Sequence, residues 1–221
     1  RMHLVASRLE IEPPIDRTFL IAGTNGKGTT VALIEELLVN KKLRVGSYTS
    51  PHLIDYNERI CVNNKPIDNA RLIDSFKLIE SVRGNVALTF FEFGTLSAFT
   101  IFNDFKCDAW VIEVGLGGRL DATNIITPSI SIITNIDLDH QGWLGSTIDK
   151  IAKEKAGIIS HSIPCIFGDS PVPPAIQIAV DSEGSDLYAW NSDFFLVDNG
   201  DSFQWKGRNT TIDSIIIPSH W

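Results

Sequence analysis

The chain has 221 residues, of which 43% are hydrophobic and 21% are charged, so it can bury a core and is not a disordered protein. Its 27 acidic and 19 basic residues give a formal net charge of -8, which argues against a nucleic-acid-binding or anionic-membrane-binding protein. No apolar run approaches the ~20 residues that a membrane span requires. A local basic site for a single nucleotide remains compatible with this composition.

The length favours one large domain over residues 1–221, or one domain with a small appendage. The first residues, Arg-Met-His-Leu, resemble the interior of a helix and not a signal peptide, so we expect the chain to begin inside a longer protein. Cys61, Cys107 and Cys165 are widely spaced and form no C-x-x-C pair, which predicts free thiols in a cytoplasmic protein.

Strands and helices alternate along most of the chain. The predicted strands are 18–22, 44–48, 109–114, 129–136 and 164–168, and the predicted helices are 30–38, 69–82, 95–105 and 147–155. This order predicts an α/β fold with a P-loop-type, mostly parallel sheet covered by helices on both faces. Short runs at 187–190, 194–197 and 203–205 predict a small β-meander. We therefore expect an α/β core over 1–170 and a β-rich appendage over 171–221.

A glycine-rich segment leaves the first predicted strand and opens the first predicted helix. After Gly23 it consists of Thr24, Asn25, Gly26, Lys27, Gly28 and Thr29. In this context main-chain N–H groups can turn towards a phosphate, and the helix N-terminus adds positive potential. Lys27 supplies a charge for the ATP β- and γ-phosphates, and Thr29 offers a hydroxyl to Mg²⁺. Because Gly28 separates these two residues, the spacing differs from the usual pattern; a structural turn with an incidental lysine is the alternative.

Polar residues follow two further predicted strands. Glu113 ends an apolar strand, where an unpaired charge would be unfavourable, so we expect it to meet Mg²⁺ or, alternatively, a lysine or arginine. His140 follows the strand that ends near residue 136; it is either structural or a ligand of a metal or phosphate. The glycine-rich segment 115–124 reads as a substrate or phosphate loop.

Three other segments carry weaker signals. Lys155 ends a polar helix, and its local pattern is typical of a solvated helix face. The segment 48–60 is a polar loop that ends in the charged pair Glu58 and Arg59. The segment 89–95 sets three aromatic residues around a glutamate, just before a buried helix; it could stack a flat heterocycle or simply form core.

Together these segments resemble the Mur-ligase superfamily of ATP-dependent amide ligases. More closely, they resemble the folylpolyglutamate synthase family, including the bacterial bifunctional dihydrofolate synthase/folylpolyglutamate synthases. The resemblance rests on six ordered segments: GTNGKGTT (23–30), TSPHL with NERI (49–60), TFFEFGTLSAF (89–99), EVGLGGRLDATN (113–124), LDH (138–140) and EKAGI (154–158). They span about residues 20 to 170.

The resemblance implies a reaction and a set of site residues. ATP phosphorylates a carboxylate of dihydropteroate or folate, and the amine of L-glutamate attacks the acyl phosphate to form an amide. The implied catalytic residues are Lys27, His140 and Lys155, with Lys155 carried as a carbamate. The implied ligands of two Mg²⁺ are Thr29, Ser50, Glu113 and His140, and the implied pterin-binding residues are Thr89, Phe91, Arg119, Leu120 and Asp121.

The resemblance leaves other questions open. The family's C-terminal glutamate-ligase domain has no counterpart in this sequence, so we expect the chain alone to bind nucleotide but scarcely to ligate. We also expect a monomer without nucleic-acid or membrane partners. A Mur-type peptidoglycan ligase and a non-catalytic nucleotide-binding module are the alternatives. The sequence does not separate dihydrofolate synthesis from extension of the polyglutamate tail.

Overall fold

An eight-stranded sheet forms the centre of the molecule, in the order β4-β3-β2-β5-β1-β6-β7-β8. The computed structural model describes residues 1–200 and 202–216. The strands of this sheet are β1 (Thr18–Ala22), β2 (Val45–Tyr48), β3 (Ile60–Val62), β4 (Lys65–Pro66), β5 (Ala109–Glu113), β6 (Ile130–Ile133), β7 (Cys165–Phe167) and β8 (Leu187–Ala189). The six strands from β2 to β8 in this order pair in parallel, whereas β3 and β4 form an antiparallel edge. The predicted α/β class is confirmed.

Helices cover both faces of this sheet. They are α1 (Met2–Arg8), α2 (Lys27–Asn40), α3 (Asn69–Arg83), α4 (Phe90–Asp104), α5 (Gln141–Leu144), α6 (Ile148–Ala156) and α7 (Pro174–Glu183). Val31 of α2 packs with Ile21 and Val111 on one face. On the other face, α4, α6 and α7 pack against alternate residues of the same strands, such as Leu20 and Ile112. Because both faces are covered, the central strands are buried and mostly apolar.

The centre of the sheet is closely packed. Trp110 of β5 is 1% exposed and stacks on Phe99, with Phe102 edge-on at 5.5 Å. Gly46 of β2 allows this approach, because a Cβ at that position would overlap the ring of Phe102. Such packing fixes the strand ends, and therefore the loops that leave them.

Helix α4 begins five residues earlier than the sequence pattern predicts. Thr89 is its N-cap, and the Thr89 and Glu92 side chains form a capping box with the first turn. The segment 89–95 therefore forms the start of the helix and does not precede it. The T-x-x-E pattern is a known helix-start signal, and it was available in the sequence.

Two features of the C-terminal part differ from the predicted β-rich appendage and its meander. Residues Leu187–Ala189 pair in parallel with β7 as the last strand of the main sheet. Helix α7 was not predicted, although Pro174 stands in its first turn and Gly184, with φ 60°, ends it in the left-handed conformation. Ile176 and Val180 form its buried face, at helical spacing.

A second, three-stranded antiparallel sheet follows. It consists of β9 (Phe195–Asp198), β10 (Phe203–Lys206) and β11 (Thr211–Ile215), in the order β11-β10-β9. Trp205 and Phe194 line a cavity of about 540 Å³ against Ile130 and Ile166 of the main sheet. The predicted appendage also includes residues 201 and 217–221, which lie outside the described residues. The division into a core over 1–170 and an appendage stays a prediction.

Cys61, Cys107 and Cys165 are all free. Within residues 1–200 and 202–216, no helix combines the length and the apolar character that crossing a bilayer demands.

Candidate functional site

Four loops meet at the carboxyl edge of the main sheet. They follow β1, β2, β5 and β6, which are neighbours in the sheet order. Ligands of open α/β sheets bind outside this edge, near the point where the chain changes direction across the sheet. Here β5 and β6 flank β1 on opposite sides, so the loop after β1 lies at the centre.

The loop after β1 turns sharply into α2. Gly26 is the N-cap of α2 and has φ 78°, a conformation that favours glycine. Gly23 has φ 151° and lies so close to Thr134 that a Cβ would overlap the Thr134 side chain. Thr24 to Thr29 therefore form a compact turn at a helix N-terminus, as the sequence predicts for a phosphate loop.

Residues at the end of β6 hold this loop in place. Asn135 accepts the Thr24 N–H on its main-chain carbonyl at 3.0 Å and the Asn25 N–H on its side-chain Oδ1 at 2.8 Å. Thr134 Oγ1 donates to the Asn25 carbonyl at 2.6 Å. Sequence reasoning missed these two anchoring residues. The sequence signal is the polar pair Thr134-Asn135 directly after a buried strand. The predicted strand, 129–136, includes both residues, whereas β6 ends at Ile133.

Two lysines converge on the same carbonyl of the loop after β1. Lys27 Nζ donates to the carbonyls of Gly23 at 3.1 Å and Thr24 at 3.2 Å. Lys155 Nζ donates to the Gly23 carbonyl at 2.6 Å. Lys155 is 4% exposed, so the solvated helix face suggested by its local pattern is wrong. Burial, together with the positive charge of Lys27, lowers the pKa of Lys155 to about 8.

Glu113 faces the loop after β1 from the end of β5. It is 6% exposed, and Oε2 accepts the Ser50 N–H at 3.1 Å. A Cβ on Gly28 would lie 3.6 Å from this oxygen. Burial raises the pKa of Glu113, while the Ser50 N–H and the charge of Lys27 oppose this effect. Among the described residues Glu113 forms no ion pair, so the alternative of a salt bridge to lysine or arginine is wrong there.

Two of the other predicted metal ligands, His140 and Thr29, are exposed. His140 follows β6, has φ 46°, and is exposed, with Nε2 3.5 Å from Asp139 Oδ2. Thr29 lies exposed in the first turn of α2. In the part of the chain that the structure describes, no group of three His, Cys, Asp or Glu side chains is arranged to hold a metal. The buried carboxylate of Glu113 fits Mg²⁺, because Mg²⁺ relies on few protein ligands and on substrate phosphates.

A cavity of about 350 Å³ opens beside this edge. Its lining includes Thr89, Phe91, Leu116, Leu120, Asp121, Trp143 and Glu154. Burial raises the pKa of Asp121, whose carboxylate accepts the N–H groups of Leu116 at 2.9 Å and Thr123 at 2.9 Å. Four of the five predicted pterin-binding residues therefore line one cavity.

The fifth predicted residue, Arg119, does not line this cavity. Its guanidinium instead pairs with Glu154 at 3.0 Å. Trp143, which is 83% exposed, lines the cavity and was missed because it lies in a short helix that the sequence pattern did not predict.

Comparisons with known proteins agree with this architecture. The family model of the Mur ligase middle domain matches residues 21–185. The chain is 40% identical over 222 residues to the dihydrofolate synthase/folylpolyglutamate synthase of Escherichia coli, covering 99% of this chain and 52% of that protein. It is 39% identical to the protein of the same description from Haemophilus influenzae, covering 97% and 49%.

Solved structures are also similar to this chain over nearly its whole length. The structure of E. coli FolC in complex with DHPP and ADP superimposes with a TM-score of 0.94 at 38% identity, covering 98% of this chain and 52% of that one. A bifunctional folylpolyglutamate synthase/dihydrofolate synthase with Mn, AMPPNP and L-glutamate bound gives 0.93 at 40% identity, covering 99% and 53%. This chain thus spans about half the length of the relatives it matches. Since the family model covers most of its sequence, the chain belongs to the Mur ligase middle-domain family.

Proposed function

We propose that the protein containing this chain is an ATP-dependent ligase that adds L-glutamate to dihydropteroate, to folate polyglutamate tails, or to both. ATP phosphorylates the substrate carboxylate, the glutamate amine attacks the acyl phosphate, and the products are an amide, ADP and phosphate. The observation that carries this proposal is the pairing of the phosphate loop around Lys27 with the buried carboxylate of Glu113 facing it. The relatives bear this function in their names, and two of the similar structures contain ADP or AMPPNP.

The phosphate loop binds and orients the ATP phosphates in this proposal. Main-chain N–H groups of residues 26 to 29 face them, since those of Thr24 and Asn25 already bond to Asn135, and Lys27 turns from its own loop carbonyls to the β- and γ-phosphates. Preorganised charge of this kind stabilises the transferring phosphoryl group. Thr134 and Asn135 keep the loop in shape, because their hydrogen bonds fix its first two residues.

Glu113, Ser50, Thr29 and His140 would hold magnesium, with two ions in the full site. Glu113 fits this role because it is a buried carboxylate without a cationic partner in the described part of the chain. The chemistry that bound Mg²⁺ supplies is neutralisation of the negative charge on the phosphates. A similar structure contains Mn with AMPPNP, which supports a divalent cation at this edge.

We propose further that Lys155 carries a carbamate. A neutral amine attacks CO₂, forms an N–C bond and releases one proton, so a lysine with a lowered pKa is prepared for this reaction. With a pKa of about 8, roughly one amine in ten is neutral at pH 7. The product is an anion, which would replace repulsion between Lys155 and Lys27 by attraction.

The cavity that includes Thr89, Phe91, Leu120 and Asp121 is the proposed pterin site. Phe91 and Leu120 offer apolar surface to a flat ring, and the half-buried Asp121 carboxylate offers acceptors to ring N–H groups. Arg119 contributes by holding Glu154 at the rim of the same cavity. The structure of a relative with DHPP bound is consistent with a pterin ligand in this family.

The decisive experiment measures glutamate incorporation by the natural full-length protein, with dihydropteroate and tetrahydrofolate supplied separately. ADP release that requires both glutamate and one of these substrates supports the proposal and shows which step is performed. Consumption of a UDP-muramoyl substrate instead would assign a peptidoglycan ligase. Nucleotide binding without turnover under any condition would leave a non-catalytic module. The cytoplasmic location and monomeric state expected from the sequence belong to the same proposal.

A further inference from the structure

The loop between β2 and β3 has an ordered interior that the proposed function does not use. It runs from Thr49 to Arg59 and includes Ser50, one of the proposed metal ligands. Its tip exposes Leu53 and Ile54, which are 92% and 86% exposed. An exposed loop of this kind needs internal contacts if Ser50 is to keep one position. Glu58 and Arg59, at the end of the loop, supply these contacts.

Glu58 holds the tip of the loop. Its carboxylate accepts the main-chain N–H groups of Leu53 at 2.8 Å, Ile54 at 3.0 Å and Asp55 at 2.8 Å. These hydrogen bonds lower the pKa of Glu58. The tip is therefore fixed from inside, although its side chains lie in solvent.

Arg59 holds the part of the loop that carries Ser50. Its main-chain carbonyl accepts the Thr49 N–H at 2.9 Å, and its side-chain Nε donates to His52 Nδ1 at 2.8 Å. The two residues that it contacts stand on either side of Ser50 in the sequence. Arg59 is therefore the residue that fixes both flanks of the proposed ligand.

The guanidinium of Arg59 has an unusual environment. The residue is only 9% exposed, yet within residues 1–200 and 202–216 it forms no ion pair. Its partners are aromatic: the Tyr56 ring centroid lies at 5.3 Å and the Phe90 centroid at 5.8 Å. Phe90 is the first residue of α4, so this contact ties the loop to a rigid helix.

The contacts lead from Arg59 to the proposed metal site in two steps. Arg59 fixes Thr49 and His52, and the Ser50 N–H between them donates to Glu113 Oε2 at 3.1 Å. We propose that Arg59 is a positioning residue that sets Ser50 relative to Glu113 for binding of the metal–nucleotide complex. This inference rests on the proposed function. Lysine cannot replace Arg59, because an ammonium group lacks the planar guanidinium that stacks on rings and donates through Nε at the same time.

The test compares Arg59→Lys with Arg71→Lys in the natural full-length protein. Arg71 is the control, because it also lies over an aromatic ring, that of Phe105 at 5.1 Å, but is exposed and ion-paired with Asp104. Binding of Mn²⁺ in the presence of ADP is followed by electron paramagnetic resonance, with the thermal midpoint recorded alongside. We expect Arg59→Lys to weaken Mn²⁺ binding about tenfold, in the range seen when residues supporting a metal ligand are changed, and Arg71→Lys to leave it unchanged.

A purely structural role would give another result. Arg59→Lys would then lower the thermal midpoint while Mn²⁺ affinity stayed at the wild-type value, and this outcome would overturn the positioning role. If Arg59→Lys does not fold, His52→Phe removes only the acceptor of Nε and is expected to weaken Mn²⁺ binding in the same direction. Unchanged binding in that variant would also overturn the proposal. If the wild-type protein binds no Mn²⁺ with ADP, the proposed function itself fails, and the two failures remain distinguishable.

Discussion

The two sheets of this chain differ in how their strands are buried. Strand β1 of the large sheet has four of its five residues buried, whereas β11 of the small sheet has four of its five residues exposed. The ends of buried strands are fixed by packing on two faces, so the loops that leave them can hold side chains at defined positions. All the proposed site residues lie at strand ends of the large sheet or on the loops and helices that adjoin it. The comparison predicts that changes near the large sheet alter chemistry or stability strongly, and changes in the small sheet do not.

The largest effect is expected for Lys27→Ala in the natural full-length protein. Removing the charge aimed at the phosphates should lower the rate of substrate-dependent ADP formation about 10²–10³-fold, as for loss of one preorganised stabilising group. Lys153→Ala is the control, because Lys153 is exposed on α6. A decrease of less than about threefold for Lys27→Ala, judged by steady-state kinetics, would remove this lysine from the site.

Lys155→Ala should depress ligation strongly, by roughly 10–100-fold, which is the range for changes around metal ligands. Added bicarbonate should not restore activity, because the variant has no amine to carry a carbamate. Glutamate incorporation measured with and without bicarbonate tests both statements, again with Lys153→Ala beside it. Wild-type activity in Lys155→Ala would show that the buried lysine serves packing alone.

Gly46→Ala is expected to lower the free energy of unfolding, because the substitution lies in the large sheet. The added methyl group would overlap the Phe102 ring at the centre of the large sheet, and overpacking of this kind destabilises a protein by about 1–3 kcal/mol. Urea unfolding measures the change in the free energy of unfolding. Gly142→Ala is the control, because a Cβ there meets no atom within 4 Å. Equal stability of the two variants would mean that the centre of the sheet can relax.

Trp205→Leu in the small sheet is expected to have the smallest effect. Trp205 is half-buried, with its ring centroid 6.4 Å from that of Phe194, so its loss should change the free energy of unfolding by about 1 kcal/mol. Ligation rates should stay within about twofold of wild type. A large loss of ligation rate in a folded Trp205→Leu protein would contradict the predicted difference between the two sheets.

The fold could be predicted where the sequence signal is local and strong. The apolar run from Thr18 to Ala22 and the glycine-rich segment after it identify a buried strand and a tight turn into a helix without any tertiary information. The approach of Lys155 to the Gly23 carbonyl could not be predicted in this way, because it joins residues 132 positions apart in the sequence. Only the family resemblance pointed to Lys155, since its neighbours in α6 are typical of a surface helix.

The start of α4 and the whole of α7 were not predicted, although both carry a recognisable signal in the sequence. The capping box at Thr89 and Glu92 marks the start of α4, and Pro174 with Gly184 brackets α7. Asn135 is a different case, because a polar residue after a strand does not reveal which loop it will contact. Its role depends on β6 lying next to β1, which is a property of the sheet order.

The most direct test of the central claim is a crystal structure of the natural full-length protein with AMPPNP and Mn²⁺, with data collected at the manganese absorption edge. The account predicts an anomalous peak within coordination distance of the Glu113 carboxylate, and the triphosphate lying along residues 24 to 29 with Lys27 at the β- and γ-phosphates. A peak bound elsewhere, or a triphosphate away from the end of β1, would contradict it.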